Sequence, residues 1–270
     1  MSVLPTALEP RWKREPRLFF TALQFFTRIP VPAWVGWSPE QLNDSARHFP
    51  TVGLLVGAVS AGVMLAAALL WPPGVAVLLA MAASVLLTGA FHEDGWADSC
   101  DGFGGAHEPA KVLAIMKDSR VGSYATVGVV LVLCLKFQLL LSLLQSHLDA
   151  GRSAGLLLAM VLASHSLSRW AALWVMARLS YVREDALSKS KPIAQGIATG
   201  PLCAAAGLAC LPLLAVGVWG VLAAAAAWGV AALAVVYLRR RLGGYVGDAL
   251  GATQQLAELA VLLIWALPWL

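Results

Sequence analysis

Four carboxylates lie close together in the stretch His92–Gly105, which reads HEDGWADSCDGFGG. If this stretch is helical, Asp94, Asp98 and Asp101 are spaced i, i+4 and i+7 and share one face. Like charges at that spacing repel one another, and a divalent cation would neutralise them. Oxygen ligands favour a hard ion such as Mg2+, or Mn2+, over zinc. The pattern therefore predicts a divalent metal site, with a solvated acidic loop as the alternative. We expect the helix to end from Gly102 onward.

A second polar segment, residues 239–252, also places glycines around a carboxylate, Asp248. Asp248 could complete the metal site begun in the first stretch, or it could be an ordinary loop aspartate near three arginines. Spacing alone leaves both open. His92 borders the carboxylates and titrates near neutral pH, so it is a candidate proton acceptor. The alternative is a structural histidine at a helix end.

Basic side chains follow the acidic stretch by about one loop, with Lys117, Arg120 and Ser123 in the segment KDSRVGS. Phosphoryl transfer needs cations around the reacting phosphate, and a guanidinium can grip two phosphate oxygens. We therefore predict Arg120 as a phosphate clamp, or alternatively as an anchor at the membrane interface. Arg183 and Lys189 lie in a further charged loop, which would either bind phosphate or form a solvated face.

Four ionisable side chains fall within apolar runs, where they are costly and need partners: Lys136, His165, Arg169 and Glu258. His165 and Arg169 are four residues apart, so on a helix they face the same way, into the bundle. Arg169 would either pair with a carboxylate such as Glu258 or contact a ligand.

With 59% hydrophobic and 13% charged residues among 270, the chain is too apolar for an ordinary soluble domain. We predict an all-α, polytopic integral membrane helix bundle, forming one catalytic domain over residues 1–270. The apolar piece at 18–26, within a basic segment 1–50, is too short for a bilayer core of about 30 Å. It is predicted as an N-terminal interfacial helix, or as a helix packed on the bundle. About seven transmembrane helices are predicted, at residues 51–71, 74–91, 123–145, 154–177, 201–219, 221–238 and 253–270. The break at 219–222 is weak, so an arrangement with six spans or with a re-entrant segment is left open.

Charge placement orients this topology, because sixteen of the nineteen Lys and Arg residues fall on segments that share one side. By the positive-inside rule, that side and its acidic stretch face the cytoplasm. The sequence has no basic stripe interleaved with aromatic residues, so nucleic-acid binding is not predicted. The cysteines lack CxxC or Cys/His ligand spacing, and GxSxG, HExxH, Walker A and GxGxxG patterns are absent.

Five motifs, in order between residues 26 and 252, resemble those of the cobalamin synthase family, the adenosylcobinamide-GDP ribazoletransferases. They are FTRIPVP, FPTVGLLVG, HEDGWADSCDGFGG, KDSRVGSY and GGYVGDALGA. Three places depart from the usual family pattern. Glu93 stands where an apolar residue is common, Cys100 stands where a small one is common, and residues 181–186 are a modified form of a loop that usually contains Asp-Gly.

The resemblance implies transfer of the adenosylcobinamide phosphate of adenosylcobinamide-GDP to α-ribazole or its 5′-phosphate, with release of GMP. It implies a multi-pass enzyme of the bacterial inner membrane whose active site faces the cytoplasm. The lipid bilayer surrounds it, and its protein partners would be further copies of the chain or other enzymes of the same pathway. The residues that this function would use fall into two groups. Asp94, Asp98, Asp101, Asp248 and Glu93 are metal ligands, and Lys117, Arg120, Ser123, Arg169, Arg183 and Lys189 contact substrate.

Two other functions match part of the pattern. Membrane phosphotransferases of the CDP-alcohol type also use Asp-Gly followed by aspartates, but an alanine-arginine pair normally follows, and here Ala97 is followed by Asp98. An ion-coupled transporter would use Lys136, Arg169 and Glu258, but transporters place their binding sites near the bilayer midplane. This chain concentrates carboxylates at the predicted cytoplasmic edge.

Overall fold

The computed structural model describes residues 10–182, 197 and 199–267. Within these residues the regular structure is helical, apart from one isolated bridge between Tyr181 and Tyr245, so the predicted all-α class is confirmed. The α-helices are α1 (Arg11–Phe26), α2 (Pro39–Ser45), α3 (Phe49–Ala68), α4 (Pro73–Thr88), α5 (Phe91–Gly105), α6 (Pro109–Ile115), α7 (Ser123–Asp149), α8 (Ala154–Arg178), α9 (Thr199–Cys210), α10 (Val218–Leu242) and α11 (Gly247–Trp265).

Four helical segments are long and apolar enough to cross a membrane: Pro39–Ala68, Ser123–Asp149, Ala154–Arg178 and Val218–Leu242. The pair α4 and α5, bent by 87° at its break, makes a fifth if it is one span. The predicted count of about seven is therefore not reached in the described part of the chain. One predicted span, 253–270, overlaps α11, which is not among these segments and carries three buried polar residues. These are Gln254, Gln255 and Glu258, and each is at most 2% exposed because the helix turns it into the bundle.

The predicted break at 219–222 is displaced by a few residues, because α10 already begins at Val218. The chain turns just before, at Gly217, where φ is +69°. Glycine adopts this left-handed conformation at little cost. The shorter apolar segment Thr199–Ala215 precedes that turn.

Helix α8 is the centre of the bundle and packs against α3, α9, α10 and α11. Its contact with α3 is close because two glycines of α3 face it. A Cβ on Gly53 would lie 2.5 Å from the carbonyl oxygen of His165, and one on Gly57 would lie 3.0 Å from the Cα of Leu162. Small residues at such crossings let membrane helices pack backbone to backbone.

Helix α1 packs against α2 and α3, which is the second of the two arrangements predicted for the N-terminal apolar piece. Leu18 and Ala22 are completely buried, and the rings of Phe26 and Phe49 meet edge to face with centroids 4.6 Å apart. This packing brings α1 against α3 and, through Phe25 and Phe91, against α5. The prediction of one domain over residues 1–270 is not tested by these contacts and stays a prediction.

A buried polar network connects α7, α8 and α11. Lys136 Nζ lies 2.6 Å from Glu258 Oε1, with side chains 5% and 3% exposed. Gln254 Nε2 donates to Glu258 Oε2 at 2.7 Å and to Ser168 Oγ at 2.9 Å. Breaking a buried pair by removing one partner typically costs about 3–5 kcal/mol, because the other charge stays buried.

The α3–α8 contact makes a direct prediction. Gly53→Leu should destabilise the bundle by about 3 kcal/mol, because the new side chain must displace backbone of α8. Gly62→Leu is the matched control on the same helix, because no atom lies within 4 Å of an added Cβ there. Thermal unfolding in detergent measures both, and equal melting temperatures for the two variants would contradict the packing described.

Candidate active site

Helix α5 carries the acidic stretch and starts after a sharp bend. Gly89 and Ala90 both have positive φ, +68° and +59°, before the helix begins at Phe91. Arg28 lies against this bend: its backbone N–H donates to the carbonyl of Leu87 at 2.8 Å, and a Cβ on Gly89 would be 2.6 Å from its Nε. A side chain at Gly89 is thus excluded by its backbone conformation and by Arg28 together. The FTRIPVP motif therefore fixes where α5 starts.

The other end of α5 is held by Arg241 of α10. Its Nη2 donates to the carbonyl oxygens of Ala106 at 2.7 Å and Phe103 at 3.4 Å. A cation at a helix C-terminus satisfies the last carbonyls and complements the helix dipole. The helix ends at Gly105, within the glycine-rich stretch from Gly102 onward where its end was predicted. This contact of Arg241 with the end of α5 was not predicted from the sequence. The only sequence signal was that Arg241 lies next to the glycine-rich stretch at 243–251.

Helices α5 and α11 cross at a pair of glycines. A Cβ on Gly95 would lie 2.8 Å from the carbonyl oxygen of Asp248 and 3.2 Å from the Cα of Gly251. The two acidic segments, far apart in sequence, therefore touch through their backbones. Asp94 is exposed beside this crossing, and Asp98 and Asp248 are half-buried.

Asp101 joins α5 to the basic loop. Its Oδ2 accepts from the N–H of Gly122 at 2.6 Å and its Oδ1 accepts from the N–H of Ala125 at 2.8 Å. A carboxylate in this position satisfies free N–H groups at the start of α7 and complements its dipole. Gly122 is required for this approach, because a Cβ there would lie 2.6 Å from Asp101 Oδ1.

An open cleft of about 380 Å³ lies over this junction, with Asp101, Asp118, Arg120 and Ser123 in its lining. The Arg120 Nε donates to both Asp118 oxygens at 3.0 Å, and the Arg120 side chain is 87% exposed. Hydrogen bonds from Arg120 lower the pKa of Asp118 to about 2, so this carboxylate is ionised throughout the physiological range. Lys117 is exposed nearby in sequence. Arg120 thus reaches an open surface, as a phosphate clamp must, but its charge is shared with Asp118.

The carboxylates differ in how they are held. Glu93 accepts from Gln255 Nε2 at 3.1 Å, which draws it toward α11. Among the described residues, no group of three or more His, Cys, Asp or Glu side chains converges in a way that could hold a metal ion. Carboxylate oxygens suit Mg2+, and the glycine crossing brings two acidic segments together. Ion binding therefore requires these side chains to turn toward one another.

His92 and Arg169 lie in a different place, an enclosed cavity beneath the α5–α11 crossing. His92 is 4% exposed and stacks on Phe26, with ring centroids 5.6 Å apart and planes 10° apart. Arg169 is 2% exposed, and its Nη1 donates to the carbonyl oxygen of His165 at 2.9 Å. Four phenylalanines that the sequence did not single out also line this cavity: Phe25, Phe26, Phe49 and Phe91. The adjacent pair at 25–26 was the available signal. Arg183 and Lys189 lie outside the described residues.

Comparison with known proteins gives a family for this arrangement. The family model described as Cobalamin-5-phosphate synthase matches residues 18–266. Three relatives are each named adenosylcobinamide-GDP ribazoletransferase. That of Leptothrix cholodnii is 50% identical over 257 residues, covering 93% of this chain and 95% of the relative. That of Shewanella amazonensis is 47% identical over 261 residues, covering 96% and 98%. That of Shewanella frigidimarina is 45% identical over 258 residues, covering 95% and 96%. No solved structure matches.

The capping role of Asp101 can be tested separately from activity. In Asp101→Asn an NH2 group replaces one acceptor oxygen, and the start of α7 loses a negative charge. The cost should be about 1–2 kcal/mol, confined to the first turn of α7. Hydrogen exchange of the 120–126 segment, measured by mass spectrometry, should accelerate about tenfold, since 1.4 kcal/mol corresponds to that factor. Asp149→Asn, at the opposite end of α7, should leave it unchanged. Unchanged exchange in Asp101→Asn would show that the cap is not needed.

Proposed function

The chain belongs to the cobalamin-5-phosphate synthase family, and we propose that it performs the reaction for which its relatives are named. It transfers the adenosylcobinamide phosphate of adenosylcobinamide-GDP to a ribazole, α-ribazole or its 5′-phosphate, and releases GMP. This is the step that assembles the nucleotide loop of cobalamin. The observation that carries the proposal is the family match over residues 18–266, which includes the acidic helix, the basic loop and α11. This match favours the ribazole transferase function over a CDP-alcohol phosphotransferase or an ion-coupled transporter.

The reaction exchanges one phosphorus–oxygen bond for another. A hydroxyl of the acceptor ribose attacks the phosphorus on the cobinamide side of the diphosphate and forms a new ester bond. The bond from that phosphorus to the bridging oxygen breaks, and the oxygen leaves with GMP. The hydroxyl proton must pass to a base. Negative charge grows on the phosphate oxygens, so the protein's task is mainly to position the groups and neutralise this charge.

The cleft between α5 and the basic loop suits the diphosphate. Asp101 binds the first turn of α7 and so fixes Arg120 and Ser123 beside the acidic helix. An incoming phosphate would compete with Asp118 for the guanidinium of Arg120, which can hold two phosphate oxygens at once. Lys117 supplies a second cation from the same loop. For the proton, we favour a carboxylate of the acidic helix over His92, because His92 is enclosed.

Asp94 and Asp98 from α5 and Asp248 from α11 are the residues that we assign to a divalent ion, Mg2+ or Mn2+. Support comes from their oxygen-only chemistry and from the backbone contact of the two helices at Gly95. Asp101 accepts hydrogen bonds from the start of α7 and Glu93 accepts one from α11, and we propose that these two carboxylates position α5. Bound Mg2+ would supply positive charge that stabilises the attacked phosphate and the departing GMP.

We place the enzyme in the bacterial inner membrane with this site on the cytoplasmic side. The distribution of Lys and Arg supports that orientation. The 87° bend between α4 and α5 adds a geometric reason. If α4 crosses the bilayer, α5 runs along its surface, where soluble nucleotides can reach the carboxylates.

Acceptor-dependent GMP release tests this function. Purified protein in lipid should release GMP from adenosylcobinamide-GDP only when both α-ribazole 5′-phosphate and Mg2+ are present. Asp94→Asn should lower kcat at least about 100-fold, because it removes charge next to the reacting phosphate. Glu108→Gln is the control and should keep full activity, because Glu108 lies just before α6 and pairs with Lys111. Release of GMP without acceptor would indicate a hydrolase, and a fully active Asp94→Asn would remove the carboxylate assignment.

A further inference from the structure

A groove of about 800 Å³ lies between α5, α7, α10 and α11. Its lining is mostly apolar, and several large side chains there are exposed, among them Leu233 of α10 at 71%. Contiguous apolar surface of this kind is rarely left uncovered in contact with water. Because α10 is one of the helices that could cross a membrane, the medium around the groove is lipid.

The groove has the depth of one leaflet of a bilayer. Its lining on α10 runs from Val230 to Arg240. Ten residues of α-helix rise about 15 Å, which is half of a hydrocarbon core of about 30 Å. One acyl chain of the leaflet on the Arg240 side would therefore extend along the whole groove.

The end of the groove at Arg240 is polar. Arg240 is the one charged side chain among the described residues that line the groove, and it is exposed. The next residue, Arg241, is already bound to the last carbonyls of α5 and donates to the hydroxyl of Tyr237 at 3.0 Å. Arginine and tyrosine at the end of an apolar span are typical of the headgroup level of a membrane. A guanidinium there can hold two phosphate oxygens at once.

The groove lies on the opposite side of α5 from the carboxylates. Trp96 and Phe103, which line it, point about 200° and 180° around the helix from Asp94. A substrate in this groove could not present its phosphate to the acidic face of α5. The groove therefore suits a ligand that takes no part in the transfer reaction.

We propose that this groove binds one anionic phospholipid, with an acyl chain along α10 and α11 and its phosphate on Arg240. The site does not depend on the function proposed above. The chain contacts Phe103 of α5, Leu233 of α10 and Leu256 of α11, and so connects three helices. A lipid that binds only the folded protein also stabilises it by mass action.

Native mass spectrometry of the protein in detergent tests the headgroup contact, with phosphatidylglycerol as the probe. One phosphatidylglycerol should bind more tightly than phosphatidylcholine, whose headgroup carries a positive charge as well. Arg240→Gln should weaken phosphatidylglycerol binding about fivefold, which is the typical contribution of one basic side chain at a membrane surface. Arg240→Lys keeps the charge and should retain most of the affinity.

Arg239→Gln is the matched control, because Arg239 is also exposed near the end of α10 but does not line the groove. Wild-type affinity in this variant, together with the loss in Arg240→Gln, would support the site. Equal losses in both variants would indicate a general attraction to the basic helix end, and equal binding of the two lipids would remove the headgroup contact. Either result would overturn the proposal, as would a dimeric mass without lipid, which would assign the groove to a second copy of the chain.

A phosphatidylglycerol with a diazirine in its acyl chain locates the chain. After irradiation, peptide mapping should find the label on residues 230–238 and 252–263. Ala260→Trp fills the groove from α11 and should remove most of this label. Ala225→Trp, at an exposed position of α10 outside the groove, should not. Label spread evenly over the exposed sides of α7 and α10 would mean that no single site exists.

Discussion

The contact of α5 with α11 at Gly95 and Gly251 is the constraint on which the site depends. Two acidic segments separated by about half of the chain meet there because neither helix has a side chain at the crossing. Any larger residue at Gly95 would meet the backbone of Asp248, which cannot move aside as a side chain can. The same crossing separates two regions with different chemistry. Exposed carboxylates lie on one side, and the aromatic cavity containing His92 lies beneath.

The remaining contacts of α5 hold this crossing in register. Arg28 lies at its first bend, Arg241 binds its last carbonyls, and Asp101 connects it to the start of α7. The buried Lys136–Glu258 pair contributes in another way. Removing two charges from water costs about as much as their attraction returns, so the pair adds specificity of position more than net stability. The Lys136–Glu258 pair joins α7 to α11 in the interior of the bundle. It therefore helps to fix the position of α11, which carries Asp248.

Much of this arrangement could be predicted from the sequence because it depends on local spacing. The helix bearing the carboxylates and the closeness of the loop at 117–123 follow from distances of a few residues. Residues two apart on a helix point about 200° apart, so the sequence spacing already places His92 and Asp94 on different faces of α5. Other features could not be predicted in this way. The sequence has glycines at 217 and 220, and only the three-dimensional path shows that the turn is at the first. The burial of the polar residues of α11 likewise depends on partners from distant helices.

The central claim is that α5 and α11 jointly hold the divalent ion, and Mn2+ binding followed by electron paramagnetic resonance tests it most directly. The wild-type protein should bind Mn2+ in a saturable manner. Asp94→Asn and Asp248→Asn, one on each helix, should each weaken binding by at least about tenfold, as loss of a ligand or its support does in other metal sites. Wild-type affinity in Asp248→Asn, with Asp94→Asn impaired, would mean that α5 holds the ion alone. That result would contradict a site shared across the crossing.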